Sequence, residues 1–152
     1  MPKQLTADVQ LYEQDLYSWA LRQAELVRAR RFADLDLENV AEELESSGKE
    51  QAHKLELALR VLLLHLLKWK YQPQRRSRSW RGTIVRERTN AERVLEDNPG
   101  LKARREQLFV TAYRGARKEA AAETRLPLAT FPEAVPFSLP QALDEEFWPE
   151  AN

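Results

Sequence analysis

An all-α fold, a four-helix bundle-like domain with a long central second helix, is predicted by three features of the sequence. Apolar residues recur at three- and four-residue steps through almost everything before Leu126. No stretch shows the strict alternation of a half-buried strand. Five of the eight prolines, Pro127, Pro132, Pro136, Pro140 and Pro149, gather after that point, where a helix cannot run on. The 152 residues suffice for one domain with one core. The expected layout is a helical bundle over about 7–125, then a proline-rich strap ending in a short helix over 126–152.

The first helix is expected over Ala7–Ala29. Val9, Tyr12, Leu16, Trp19, Gln23, Leu26 and Val27 make its stripe, with Thr6 as N-cap and Asp8 in the favourable first turn. The second begins after Asp36, a cap candidate, with Leu35 and Val40 spaced as a hydrophobic staple. Its stripe runs through Leu37, Val40, Ala41, Leu44, Gly48, Gln51, Leu55, Ala58, Leu62, Leu66 and Trp69 without a proline, so one helix to about Tyr71 is expected. Gly48 is a place for a bend or a break, so continuity of the helix through it is left open. From Leu57 to Leu67 apolar residues surround the axis, the pattern of a helix covered on most sides. Pro73 ends it.

Ser77 or Ser79 caps a third helix with the stripe Trp80, Ile84, Arg88 (by its stem), Ala91, Val94 and Leu95. Asn98-Pro99 reads as an N-cap with proline in the first helical position. The fourth helix follows, with Leu101, Leu108, Phe109, Ala112, Tyr113, Ala116 and Ala120, to near Thr124. Between the late prolines, Leu128, Phe131, Val135, Phe137 and Leu139 are too apolar for a solvated tail, so the strap should lie over the bundle. Ser138 and Gln141 have capping-box spacing for a helix over Leu139–Phe147.

Net charge is zero, with 24 cations against 24 anions, yet the chain has strong poles. Asp34–Glu50 holds seven acids and one lysine, a net of −6, and Lys68–Arg93 holds nine cations and two acids, a net of +7. Cysteine is absent, which removes disulfides, thiol catalysis and thiolate metal sites and fits a reducing compartment. The start of the chain lacks an apolar signal core, and the longest apolar run, Val61–Leu67, is too short to span a membrane. A cytoplasmic setting without membrane contact is the simplest expectation.

The residues Tyr12-Glu13-Gln14-Asp15-Leu16-Tyr17-Ser18-Trp19, Asp36 through Glu45, Leu62-Leu63-Leu64-His65-Leu66-Leu67-Lys68-Trp69 with Gln72-Pro73, and Arg76-Ser77, Ser79-Trp80, Ile84 and Arg88 form a pattern. In it the chain resembles a bacterial family known as domain of unknown function 29, abundant in cyanobacteria. The resemblance covers roughly Leu11–Leu143; Glu87 stands where a glutamine is expected before Arg88. It implies an all-helical fold and carries no activity, ligand or catalytic residue.

Candidate sites must therefore come from the residues. His65 sits on a buried helix and titrates near neutrality, as general bases do; Asp15, Glu42 and Glu43 are the acids expected near it. The bland alternative is a core histidine satisfied by hydrogen bonds. His65 with Glu42 is the one candidate for a hydrolase-like centre, and no catalytic residue is otherwise marked. A half-buried polar network of Asp15, Glu42, His65, Lys68 and Arg88, serving to specify the fold, is the sharper expectation. Metal binding fails on inventory. Glu50-Gln51-Ala52-His53 has Glu-x-x-His spacing but no second copy, and His53 and His65 point about 120° apart on one helix. Glycines are not grouped into a phosphate loop, and a Ser-His-Asp set drawn from Ser77 or Ser79, His65 and Asp15 carries no weight. No cofactor is expected.

The passage Lys68, Trp69, Arg75, Arg76, Arg78 and Trp80 combines cations with aromatics, the chemistry that neutralises phosphates and stacks on bases. No nucleic-acid-binding motif surrounds it, and pairing with the chain's own acids or tail is the favoured reading. The expectation is thus a non-enzymatic helical protein-interaction module, self-association included, with an unidentified protein as partner. Anion or nucleic-acid binding through Lys68–Arg81 is the alternative.

Overall fold

In a computed structural model of the chain, residues 7–152 are described; the expected N-cap Thr6 lies outside them. The α-helices are α1 (Ala7–Gln14), α2 (Leu16–Arg28), α3 (Leu37–Tyr71), α4 (Arg78–Asp97), α5 (Arg105–Thr124) and α6 (Leu139–Leu143), joined through short 3-10 turns. No strand occurs among the described residues. The chain divides into two compact units, one ending at Lys49 and the other spanning Glu50–Asn152. Continuous helix α3 contributes its first turns to the former and the remainder to the latter.

The first expected helix is two. The break falls at Asp15, whose backbone leaves the helical region (φ −153°, ψ 83°) and whose carboxylate accepts from the Ser18 amide and hydroxyl. A periodic stripe cannot reveal this, because the side chain competes with the helix for the same amides. In this unit Trp19 and Leu26 are buried. The indole of Trp19 donates to Asp36 Oδ2 at 3.2 Å, and the Asp36 amide donates to Gln23 Oε1 at 2.9 Å. Tyr12 packs edge-on against Trp19 and donates its hydroxyl to Glu43 at 2.7 Å.

In the second unit α3 is surrounded. Leu55, Leu59, Leu62, Leu63, Leu66 and Leu67 are fully buried, as the all-round apolar run requires. Helix α4 returns antiparallel, capped by Ser77, which accepts from the Trp80 amide. Asn98 departs from its expected role. It closes α4, donating to the Val94 carbonyl and to Gln51 Oε1, and Pro99 opens a 3-10 segment to Arg104 before α5 begins. Helix α5 then runs alongside α3 with Ala112, Ala116 and Ala120 turned fully inward. Small side chains at four-residue steps permit the close approach: a Cβ on Gly115 would lie 2.7 Å from Arg60 Cδ.

The strap covers this unit. Phe131 and Leu139 are buried, Tyr113 donates to the Pro132 carbonyl at 2.6 Å, and Arg117 donates to the carbonyls of Phe131 and Leu128. Burial pushes the Tyr113 hydroxyl up to about 12. Ser138 and Gln141 form the expected capping box, but α6 stops at Leu143 because Asp144 adopts an extended conformation.

Gly48 lies inside unbroken helix with open space where a Cβ would stand. Gly48→Ala should raise the unfolding free energy by about 1 kcal/mol. Gly115→Ala should not, since displacing Arg60 costs about 1–3 kcal/mol, offsetting the same propensity gain. Denaturant unfolding of both variants checks the pair; equal stabilisation would contradict the packing described.

Candidate functional site

The basic passage after α3 does not stand free. Arg76 donates to the Trp69 carbonyl at 2.9 Å and to the Pro149 carbonyl at 3.3 Å, with its guanidinium carbon 4.9 Å from the Trp69 ring centre. Trp69 in turn lies 4.9 Å from Trp148. On that second ring rest Arg81, at 4.6 Å, and Arg88, at 5.2 Å. Cations thus flank an aromatic pair, Arg76 on Trp69 and the two α4 arginines on Trp148, an arrangement favoured by the ring quadrupole. Arg81 and Arg88 are seven residues apart, hence on one helix face. Lys70 donates to the Glu150 carbonyl, and the Asn152 amide donates to the Lys70 carbonyl. Trp80 is occupied too, with Lys68 Nζ 4.6 Å from its centre. Of the six residues expected to bind, Arg75 and Arg78 remain exposed, without a described partner.

Arg88 goes further than a stem on an apolar stripe. It is 1 % exposed, and its guanidinium donates to three carbonyls of the C-terminal segment: Ala142 at 2.8 Å, Glu145 at 3.3 Å and Phe147 at 2.6 Å. Burial pushes its pKa below the ordinary arginine value, while Asp144, Glu145 and Glu92 pull the other way.

The expected network of five polar residues takes a different form. Asp15 caps α2 in the N-terminal unit, its carboxyl held below the usual range by the Ser18 hydroxyl and then the Ser18 amide. Glu42 is exposed in that same unit, whereas neighbouring Glu43 takes the inward position under Tyr12, whose hydroxyl it raises to about 12. In the other unit Lys68 pairs with Glu123 at 2.6 Å, and Arg88 takes backbone carbonyls where carboxylates were expected. Helical position distinguishes Glu42 from Glu43 only once the partner helix is placed.

His65 uses Nδ1 on the Val61 carbonyl, 2.8 Å away in its own helix. Burial holds its pKa below the ordinary value, reinforced by Lys68 and Arg86 and opposed by the Val61 carbonyl and Glu123. Glu50 and His53 do not converge: Glu50 pairs with Lys54, and His53 lies 3.7 Å from Glu56. No group of three His, Asp or Glu side chains is placed to hold a metal among the described residues. No helix among them is long and apolar enough to cross a membrane.

Two surfaces escaped the sequence reading. In the N-terminal unit, α2 and the start of α3 flank an apolar groove of about 250 Å³, lined by Trp19, Ala20, Ala24, Val27, Val40 and Leu44. Gln23 and Glu43 line it as well, and Gln23 Nε2 is buried without a hydrogen-bond partner. In the other unit a second groove runs between α3 and α4. Their signal in the sequence is weak, since an exposed apolar residue on a stripe looks like a core residue.

The hydrogen bonds of Tyr12 and Trp19 to Glu43 and Asp36, and the stacking of Arg76 on Trp69 and of Arg81 and Arg88 on Trp148, define an all-helical domain. The chain matches the family model described as domain of unknown function DUF29 over residues 11–148, most of its length, and belongs to that family. No significant match was found among curated proteins or among solved structures.

Two outcomes test this geometry. Arg88→Met leaves three carbonyls without their charged donor and should lower stability by about 2–3 kcal/mol, with faster proteolysis after Leu126. Arg88→Lys should rescue little, because the three donors of an ammonium leave one nitrogen and cannot span carbonyls that Arg88 reaches from Nε, Nη1 and Nη2. A loss below about 0.5 kcal/mol, the range of neutral surface changes, would contradict the clamp. For His65 the folded pKa lies below the unfolded 6.5, so its neutral form favours folding. That contribution is whole above 6.5 and is lost as pH falls through the folded value. The unfolding free energy of His65→Gln should therefore vary less with pH below 6.5 than that of the parent.

Proposed function

We propose that this protein is a non-enzymatic helical interaction module whose N-terminal unit docks a basic amphipathic helix of a protein partner. The observation that supports it most is the exposed apolar rim of the groove: Leu44 is 70 % exposed and Val27 47 %, both among its lining residues, and Leu37, seven residues before Leu44 on the same helix face, is 65 % exposed. Single exposed apolar residues are ordinary, but a cluster beside a groove marks a contact surface. A groove between two helices accepts the apolar stripe of a third, which is a common mode of peptide recognition. The unpartnered Gln23 amide offers a donor within it.

Charge selects the partner. Residues 1–49 hold ten acids against six cations, a net of −4, and Glu43 lines the groove, so two copies meeting there would oppose like charges, whereas a basic helix is attracted. The lack of cysteine supports a cytoplasmic setting for this role. Nucleic-acid binding through Lys68–Arg81 has less support, because Trp69 and Trp80 already carry cations and Trp69 also meets Trp148. The hydrolase-like reading has less support, because Glu42 belongs to the N-terminal unit and His65 to the other, where its Nδ1 is taken by the Val61 carbonyl.

The test is a titration of the full chain with a labelled Leu/Lys amphipathic helix and with a scrambled peptide of identical composition. The patterned peptide alone should bind, Leu44→Asp should weaken it about tenfold, and Arg75→Glu with Arg78→Glu should leave it unchanged. Equal binding of both peptides would overturn the proposal. So would a dimer in sedimentation that Leu44→Asp dissociates, which assigns the face to a second copy.

A further inference from the structure

The groove between α3 and α4 differs in chemistry from the docking face and lies wholly within the C-terminal unit. Its volume is about 420 Å³, inside the range of small-molecule sites. Its floor is apolar: Leu57, Ala58 and Val61 from α3, and Val94 from α4. Leu57 is 41 % exposed, although it starts the most apolar stretch of the helix.

The polar lining is divided between the two ends. Helices α3 and α4 are antiparallel, and the Asn98 to Gln51 hydrogen bond of 3.4 Å sets their register. Lys54 and Arg93 therefore fall at the same end of the groove. Lys54 makes only an exposed i,i+4 pair with Glu50, at 3.2 Å, which is easily exchanged. The other end holds Glu87 and Asn90. Glu87 is 9 % exposed, and its two oxygens already accept from Arg86 Nε at 3.1 Å and Asn90 Nδ2 at 3.3 Å. With Arg86 already paired to Glu87, that end offers an anionic head no free cation, and Lys54 and Arg93 receive one at the opposite end.

We propose that this groove binds a monomeric amphiphilic anion, an aliphatic chain with a carboxylate or phosphate head. The head lies between Lys54 and Arg93 beside Val94, and the chain runs along Leu57, Ala58 and Val61 toward Glu87. A neutral chain uses the floor alone. A cationic amphiphile meets Lys54 and Arg93 at one end and, at the other, a carboxylate already paired with Arg86. The division of charge along one apolar trough therefore gives both head-group preference and a single orientation.

The test follows backbone amide NMR signals of the full chain during titration with decanoate and decyl phosphate, each below its micelle-forming concentration. Decanol and decyltrimethylammonium are the head-group controls, and inorganic phosphate is the control for a head without a chain. Both anions should shift signals of 54–61 and 87–94, binding about tenfold tighter than decanol or the cation. Phosphate alone should shift none of them. Lys54→Glu combined with Arg93→Glu should weaken both anions about tenfold at unchanged melting temperature, since both side chains are exposed. Lys54→Gln with Arg93→Gln supplies the same reading if the charge reversal disturbs folding. Equal affinity for all head groups, or indifference to both double variants, would falsify the proposal. Binding confined to vesicles of anionic phospholipid would overturn it as well, placing the two cations at a membrane surface.

Discussion

One buried guanidinium organises the C-terminal half of this protein. A segment rich in proline has few internal hydrogen bonds, because proline lacks the donor and disfavours helix around it. Its carbonyls must find donors elsewhere when they are covered. Arg88 supplies them from the middle of α4, reaching the carbonyls of Ala142, Glu145 and Phe147 at once. Arginine suits this role because it carries several donors in one rigid plane and keeps its charge in apolar surroundings. The same plane lies near Trp148, so the hydrogen-bonded clamp and the aromatic stack share a single side chain.

Consequences spread outward from that point. With Trp148 held by Arg88 and Arg81, Trp69 meets an aromatic surface at the end of α3, and Arg76 closes over it. The basic passage thereby becomes an internal joint between the α3–α4 turn and the chain's own C-terminal segment. Cation–aromatic contacts made inside a protein look, residue for residue, like those made with a nucleic acid. What distinguishes them is whether an aromatic is already occupied, and that depends on residues some 70 positions further along. Function is therefore sought on the surfaces that remain: the apolar face at α2 and α3, and the trough between α3 and α4.

The family resemblance and the geometry explain one another. Tyr12, Asp15 and Trp19 on one side and Asp36 and Glu43 on the other are part of the quoted pattern, and they make the hydrogen bonds of the N-terminal unit. Trp69, Arg76 and Arg88, also in the pattern, make the joint of the C-terminal unit. Such residues specify how helices meet. They need not touch a ligand, and neither groove is lined mainly by them.

The sequence by itself determined the all-helical class, a helix from Leu37 to about Tyr71 with its continuity at Gly48 left open, a cap at Ser77 or Ser79, the capping box at Ser138 and a strap after Leu126. These depend on period, capping chemistry and proline, all local properties of the chain. Tertiary structure decided the partners. It split the first helix at Asp15, where a carboxylate competes for the amides of the next turn. It chose Glu43 over Glu42, and carbonyls over carboxylates for Arg88, because a charged side chain takes whichever acceptor the packing brings within reach. It also left Leu44 and Leu57 exposed on stripes that read as core, since periodicity shows that a face is apolar but not what lies against it.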